Sequence, residues 1–506
     1  MDNVKEVKQN EKWFETNHLK GNLKSQTVKS GINTIAGQAV SFVLSISSTA
    51  IMARLLTPED YGLVTMVSAV TGFVTTFKDL GLSSAIIQKE KIDQRQVSSV
   101  FWINVAISSG IALIVALLAP FLVYLYGESR LLNITLVFSL SIFLTGFSLQ
   151  HNALLKRQMK FKVLSLIQIG STAISLLAGI CLAYANFGYW AIVLSGILNP
   201  ILSTIVLWIV CDWRPNFIFK ATEINSFLKF GAGMAGFDLI NYFSRNADNV
   251  LIGKYVGSGA LGIYMKSYQL LMLPITQLRD PLNAVALPAL STLQGESIKF
   301  TNFYKKYAFT LSFFSMPLVL FMGIFSEELV FIVLGNQWTQ AALIFKLLAI
   351  SSFIQPVAST KTMILISTGK TKMYFIWGLI NAVFVVLGFI IGVRWGEEGV
   401  AISYAVVNYL LLIPSLYLCF HNSPVKVSDF FNEIKFPVIF SLISGGVVIL
   451  FKLRFIHLPY FILSPLGLII GALVYIAPWF LTRESRSKLQ QLTELKNMVK
   501  SKTLKK

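Results

Sequence analysis

Residues 230–255 read FGAGMAGFDLINYFSRNADNVLIGKY, a stretch long and apolar enough to cross a bilayer that nevertheless carries Asp238, Asn241, Arg245 and Asp248. Their spacings of three, four and three place all four on one face of a helix. A charged side chain at the centre of a membrane helix costs about 2.5–3.5 kcal/mol on insertion scales, so this stripe must face protein or water and not lipid. It reads as the wall of an internal polar cavity.

Working outward, the whole chain shares that environment. Of its 506 residues, 55% are hydrophobic and 13% charged, with a mean hydropathy of +0.66, against roughly 25% charge in a soluble globular protein. The expected fold class is therefore an all-α polytopic membrane protein. Cys181, Cys211 and Cys419 lie far apart and the four histidines are scattered, so neither a disulfide framework nor a zinc site is indicated. The first 29 residues are hydrophilic and the apolar run behind them is too long for a signal-peptide core, so it is expected to stay as an anchor.

Apolar runs of about 20 residues fall near 30–53, 61–85, 97–125, 131–150, 163–184 and 188–210, then near 230–253, 260–287, 307–334, 338–366, 373–393 and 399–420. Two more, near 436–451 and 458–481, bring the expectation to about 14 transmembrane helices. The implied segments are an amino-terminal tail (1–29), a six-helix bundle (30–210), a linker (211–229), a second six-helix bundle (230–420), two additional helices (421–481) and a basic tail (482–506). Of the 43 Lys and Arg, 31 fall in the two tails and one set of alternate loops and 6 on the opposite side; the other 6 lie within spans. The positive-inside rule then puts both termini in the cytoplasm. That asymmetry accounts for most of the net charge of +19 without nucleic acid, and leaves anionic lipid headgroups as the partner of the tail. Lys452 and Arg454, in a short loop on the sparse side, are the local exception. No loop exceeds about 20 residues, too short for a separate domain, so the chemistry belongs within the membrane.

Offset by 200 residues, the chain aligns with itself: Gly31 with Gly231, Arg54 with Lys254, Gly62 with Gly262, Thr76 with Thr276 and Leu82 with Leu282. Internal repeats are a signature of transporter architecture, and an even number of intervening spans gives two parallel repeats. Under this offset Asp238, Asn241, Arg245 and Asp248 fall on Gln38, Ser41, Ser45 and Ser48, a neutral copy of the charged face. Each half is expected to lend one polar wall to a central cleft.

Further polar groups lie at membrane depth. Lys266, Gln269, Thr276 and Asp280 recur at helical spacings in the eighth span, with Arg279 beside the last. Arg245 and Lys266 are expected at similar depth, where with Asp248 they would surround one anionic group. An ion pair of Asp248 with Lys266 or Arg245, fixing only helix packing, is the structural alternative. Lys78–Asp79 and Arg279–Asp280 are equivalent span-end pairs that snorkelling explains, lining of the mouth being the other reading. Lys346 and Lys361, the latter just after the helix-bending Pro356, are candidates for extending a basic surface. No DxD, HExxH, GxSxG or phosphate-cradling loop is present, so nothing points to a hydrolase, a metal-dependent glycosyltransferase or an ATP-driven pump.

Two runs, ARLLTPEDYGLVTMVSAVTGFVTTFKDLGLSSAIIQKE (53–90) and RNADNVLIGKYVGSGALGIYMKSYQLLMLPITQLRDPLNAVALPALS (245–291), carry a family resemblance. The chain resembles, over nearly its whole length, the polysaccharide-transport branch of the multidrug/oligosaccharidyl-lipid/polysaccharide exporter superfamily. That resemblance implies two six-helix bundles plus two further helices in a bacterial cytoplasmic membrane. It also implies a flippase that carries undecaprenyl-pyrophosphate-linked oligosaccharide to the outer leaflet by alternating access through a cationic central cavity. Arg245 and Asp248 match a recurrent R-x-x-D pattern of the branch and Arg54 lies in its ARLLTPEDYG motif; Asp238, Asn241, Gln38, Ser45, Lys266, Gln269, Arg279, Lys346 and Lys361 rest on local reasoning. No cofactor is implied, H⁺ or Na⁺ coupling is compatible but not required, and other polysaccharide-assembly proteins are natural partners. A cation-coupled multidrug exporter of the same fold stays open, as does a membrane-embedded polymerase or ligase, although the latter usually needs a sizeable extracytoplasmic loop.

Overall fold

The computed structural model describes residues 13–14, 23–77, 82–89, 91–217 and 242–490. Among them every regular element is helical. By packing, the chain divides into two compact units, Met1–Gly262 and Ile263–Lys506. This is a division by packing and not the bilayer topology expected from the sequence.

The first unit holds α1 (Leu23–Leu55), α2 (Pro58–Phe77), α3 (Leu82–Gln88), α4 (Gln94–Tyr126), α5 (Leu131–Gly146), α6 (Leu149–Arg157), α7 (Phe161–Tyr184) and α8 (Tyr189–Val210), then α9 (242–255). The TPED sequence shows why α2 begins where it does. Thr57 and Asp60 cap one another, with the Thr57 N–H donating to Asp60 Oδ2 at 2.9 Å and the Asp60 N–H to Thr57 Oγ1 at 3.3 Å. Pro58 takes the first helical position, where a missing N–H costs nothing, and Glu59 and Asp60 complement the helix dipole. Arg130 then bonds Glu59 at 2.6 Å and Glu128 at 2.9 Å, fastening this first turn to the loop after α4. At the next turn Gly62 lies on the Ser258 carbonyl, and Gly262 lies on the carbonyl of Pro58; a Cβ at either glycine would overlap that oxygen. Positions 58 and 258, like 62 and 262, correspond under the 200-residue offset, so the contact is reciprocal.

α10 (Ser258–Thr292) begins at that crossing and continues into the second unit. There it is followed by α11 (Ser297–Ile324), α12 (Ser326–Val333), α13 (Ala341–Ala358), α14 (Thr360–Ser367), α15 (Thr371–Gly392), α16 (Gly396–Phe420), α17 (Val427–Arg454) and α18 (Tyr460–Ile476). α11 and the α13–α14 stretch are mostly buried, whereas α17 and α18 are mostly exposed. The last two helices dock on α11 through small residues: Gly445 meets Leu320, Gly467 meets Phe325 and Gly471 meets Phe321. Ser444 Oγ donates to the Gly471 carbonyl at 2.6 Å between them.

Nine helical stretches among the described residues are long and apolar enough to cross a membrane, one of them, 371–420, containing two of the expected spans. α10, at 35 residues the longest helix, is not among the nine. Lys266, Gln269, Arg279 and Asp280 lower its hydropathy. Two helix limits differ from expectation. α11 starts at Ser297, ten residues before the expected 307, because Lys305 pairs with Asp429 at 2.7 Å and Thr301 bonds the Pro424 carbonyl, so its polar first turns have partners. The expected 131–150 span continues through α6 to Arg157 after a break at Phe147–Ser148. Of the expected 61–85 span, α2 covers the part to Phe77 and α3 the part from Leu82, residues 78–81, including Lys78 and Asp79, lying outside the described residues.

Candidate functional site

Within the first unit, the helix that carries the RNADN sequence is anchored to α2 by Tyr242, whose hydroxyl donates to the Ser68 carbonyl at 2.8 Å. Arg245 is exposed, whereas Asp248, three residues on, is 8% exposed and its carboxylate accepts the Asn249 N–H at 2.8 Å. Asn249 and Asn246 bond each other at 3.3 Å along the same face. Gln38 and Ser45 are exposed on α1, seven residues apart and hence on one face, and Arg54 is exposed in its last turn. Asp238 and Asn241 lie outside the described residues.

Within the second unit, Lys266 is buried on α10, its Nζ donating to Gln269 Oε1 at 3.0 Å, and the next residue, Ser267, bonds the Ala341 carbonyl at 2.9 Å. Arg279 pairs with its neighbour Asp280 at 3.1 Å, and Lys346 is exposed on α13.

Lys361 is the candidate whose surroundings are most fully built. It stands in the first turn of α14, where Pro356 and Ser359 break the α13–α14 line. Its Nζ donates to Ser415 Oγ of α16 at 2.6 Å and lies 4.9 Å from the centre of the Trp377 ring of α15. Preceding it, Thr360 meets the Tyr304 hydroxyl of α11 at 3.0 Å, and one turn along α11 the Tyr307 hydroxyl bonds Asn283 of α10. Three helices, α14, α15 and α16, therefore meet at a half-buried ammonium. No carboxylate among the described residues pairs with it; one N–H is taken by a hydroxyl, and an aromatic face lies beside the group. Such a group can meet an anionic oxygen as a point charge.

Sequence reasoning named Lys361 but neither Ser415 nor Trp377, which come from other helices and obey no local spacing. It also missed Glu328. That carboxylate is 1% exposed and bonds Lys452 at 2.9 Å, while Lys452 also donates to the Ile324 carbonyl at 3.0 Å. The exceptional Lys452 is thus the counter-ion of a buried acid.

Comparison with known proteins agrees with this architecture. A family model described as polysaccharide biosynthesis protein matches residues 51–343. Teichuronic acid biosynthesis protein TuaB of Bacillus subtilis is 25% identical over 80% of this chain and 84% of its own length. Succinoglycan biosynthesis transport protein ExoT of Rhizobium meliloti is 24% identical over 91% and 94%, and lipopolysaccharide biosynthesis protein WzxC of Escherichia coli 21% over 78% and 81%. Among solved structures, the lipid II flippase MurJ in an inward closed conformation matches 88% of this chain and 97% of its own with a TM-score of 0.71 at 17% identity. An inward-facing multidrug MATE transporter matches 75% and 93% with a TM-score of 0.60 at 14% identity. These two share the fold.

Proposed function

The chain belongs to the polysaccharide biosynthesis protein family whose model it matches, and from that membership and the surroundings of Lys361 we propose that it is a flippase for lipid-linked oligosaccharide. The substrate is an undecaprenyl-pyrophosphate-linked oligosaccharide, moved from the cytoplasmic to the outer leaflet of a bacterial membrane by alternating access through a cationic central cavity. Both termini face the cytoplasm, and the 14 spans form two parallel six-helix repeats (30–210 and 230–420) plus the pair at 421–481. The reciprocal glycine contact at corresponding positions 62 and 262 supports the repeat.

The observation that carries the reading is Lys361, a cation at membrane depth held by a hydroxyl and an indole instead of a carboxylate. Flipping needs such a group because an oligosaccharide crossing hydrocarbon loses the hydration of many hydroxyls, each costing several kcal/mol in an apolar solvent. A hydrated cleft removes that barrier, and its cations hold the pyrophosphate: Arg bidentately, Lys as a point charge. Outward movement of an anion is downhill in an inside-negative membrane by about 2.3 kcal/mol per charge per 100 mV, so ion coupling is not demanded. A multidrug exporter of cationic solutes, the competing reading, would be expected to set a carboxylate where Lys361 stands. Arg245→Ala is expected to abolish surface polysaccharide at unchanged protein abundance; undiminished polymer would remove Arg245 as a substrate ligand.

A further inference from the structure

Three helices of the first unit turn uncharged polar side chains into one buried place. Asn104 and Ser108 stand four residues apart on α4, on the face that also carries Phe101. α5 comes close to this face because residue 146 is glycine: a Cβ there would meet Ser108 Cβ at 2.8 Å and the Asn104 carbonyl at 3.4 Å. Beyond the break at Phe147–Ser148, the centre of the His151 ring lies 6.2 Å from that of Phe101, so Gln150 falls between the two contacts. From α8, the Trp208 ring stacks on His151 at 4.6 Å and meets Phe101 at 6.1 Å, and Thr204 stands one turn from Trp208 on the same face.

Asn104, Ser108 and Gln150 are each 0% exposed. Yet the side-chain nitrogen and oxygen of Asn104, those of Gln150, Ser108 Oγ and Thr204 Oγ1 have no partner among the described residues. Elsewhere in these helices such groups are satisfied locally: Ser109, next to Ser108, bonds the Val105 carbonyl at 2.7 Å, and Thr135 of α5 bonds the Leu131 carbonyl at 2.7 Å. His151 is a lesser case, because the carbonyls of Phe147 and Trp213 lie beside its ring. All these residues belong to stretches long and apolar enough to cross a membrane, where lipid cannot replace lost hydration. An unbonded amide in such a place forfeits the bonds it made to water in the unfolded chain.

A partner for this set must accept from amide N–H groups and donate to amide oxygens. A cation can meet the oxygens but not the N–H groups. The set also lacks a carboxylate, and the Arg214 guanidinium stands over the Trp208 ring at 5.2 Å. Water donates and accepts, and a buried water makes about three such bonds. We propose that Asn104, Ser108, Gln150 and Thr204 bind a cluster of internal water molecules that bridges α4, α6 and α8 beside the break between α5 and α6. The waters take the place of direct side-chain bonds, and a helix break at membrane depth gains partners that lipid denies it. The inference does not depend on the transport reading.

The test is X-ray hydroxyl-radical footprinting of the full chain in detergent, in which radiolysis of a bound water oxidises the side chain beside it. Phe101 and Phe300 are almost equally inaccessible, at 1% and 0% exposure, but Phe101 adjoins the unbonded amides, whereas Phe300 lies in an apolar cluster of the second unit. Phe101 is expected to be oxidised at least tenfold faster than Phe300, and N104L/Q150L to bring it down to the Phe300 rate while Phe300 is unchanged. The Phe101 rate is expected to be the same in sodium chloride and in N-methylglucamine chloride. A Phe101 rate no higher than that of Phe300 in the parent protein would overturn the proposal, whether or not the variant folds. So would protection of Phe101 by sodium, which assigns the site to a cation, or an undiminished Phe101 rate in folded N104L/Q150L protein.

Discussion

A lysine whose nearest groups are a serine hydroxyl and an indole face keeps its charge available to a ligand, and on this point Lys361 differs from Lys452 and Lys488, which pair with Glu328 and Glu433. Lys361→Met is expected to lower leaflet transfer of a lipid-linked oligosaccharide at least tenfold, while Lys361→Arg, which preserves the charge, retains a larger share; equal losses would point to packing instead. Lys452 is of the opposite kind, being paired with Glu328. Lys452→Ala strands that carboxylate and should destabilise the protein by about 3 kcal/mol, read as a fall in unfolding temperature in detergent, whereas Lys452→Met with Glu328→Gln should lie closer to the parent. At this scale the sequence is half legible. A cation within an apolar run is visible from composition alone, so Lys361 stands out, but what holds it arrives from 54 residues away on another helix. Glu328 escaped notice because it follows Glu327 near the end of an apolar run, where charges are ordinarily solvated. Only the fold shows that one of the two is buried.

Helices in this chain are told apart by what their small and capping residues meet. Gly62 and Gly262 lie against carbonyls that belong to other helix starts, so Gly62→Ala or Gly262→Ala forces a backbone shift and should cost about 1–3 kcal/mol. Gly110, in the interior of α4 with nothing near the position of a Cβ, is the control: Gly110→Ala should be neutral or stabilising by about 0.5–1 kcal/mol through lower backbone entropy in the unfolded chain. Unfolding temperatures of the three variants in one detergent decide the matter, and similar shifts would contradict it. Hydropathy located the nine stretches among the described residues that are long and apolar enough to span, because bilayer thickness dictates their length. It misplaced their ends where polar residues have tertiary partners, as with the Lys305–Asp429 pair that lets α11 begin early. The capping logic of TPED was readable from four adjacent residues, while the reciprocal crossing two residues later needed both copies of the repeat to be seen together.

At the scale of the molecule, each unit buries apolar side chains between helices that show apolar flanks outward. Family membership and charge asymmetry were legible because they are summed over the chain. Which of the candidate polar residues act together was not, because a stripe fixes a helix face and leaves its neighbours open. We propose above all that cations at membrane depth carry an anionic lipid-linked glycan across the bilayer. The direct measurement is leaflet transfer of a defined undecaprenyl-pyrophosphate-linked oligosaccharide in proteoliposomes containing the parent protein, Arg245→Ala or Lys361→Met at equal incorporation. Transfer by the parent and a loss of at least tenfold in both variants is the predicted result; absence of transfer by the parent, or transfer untouched by either substitution, would contradict it.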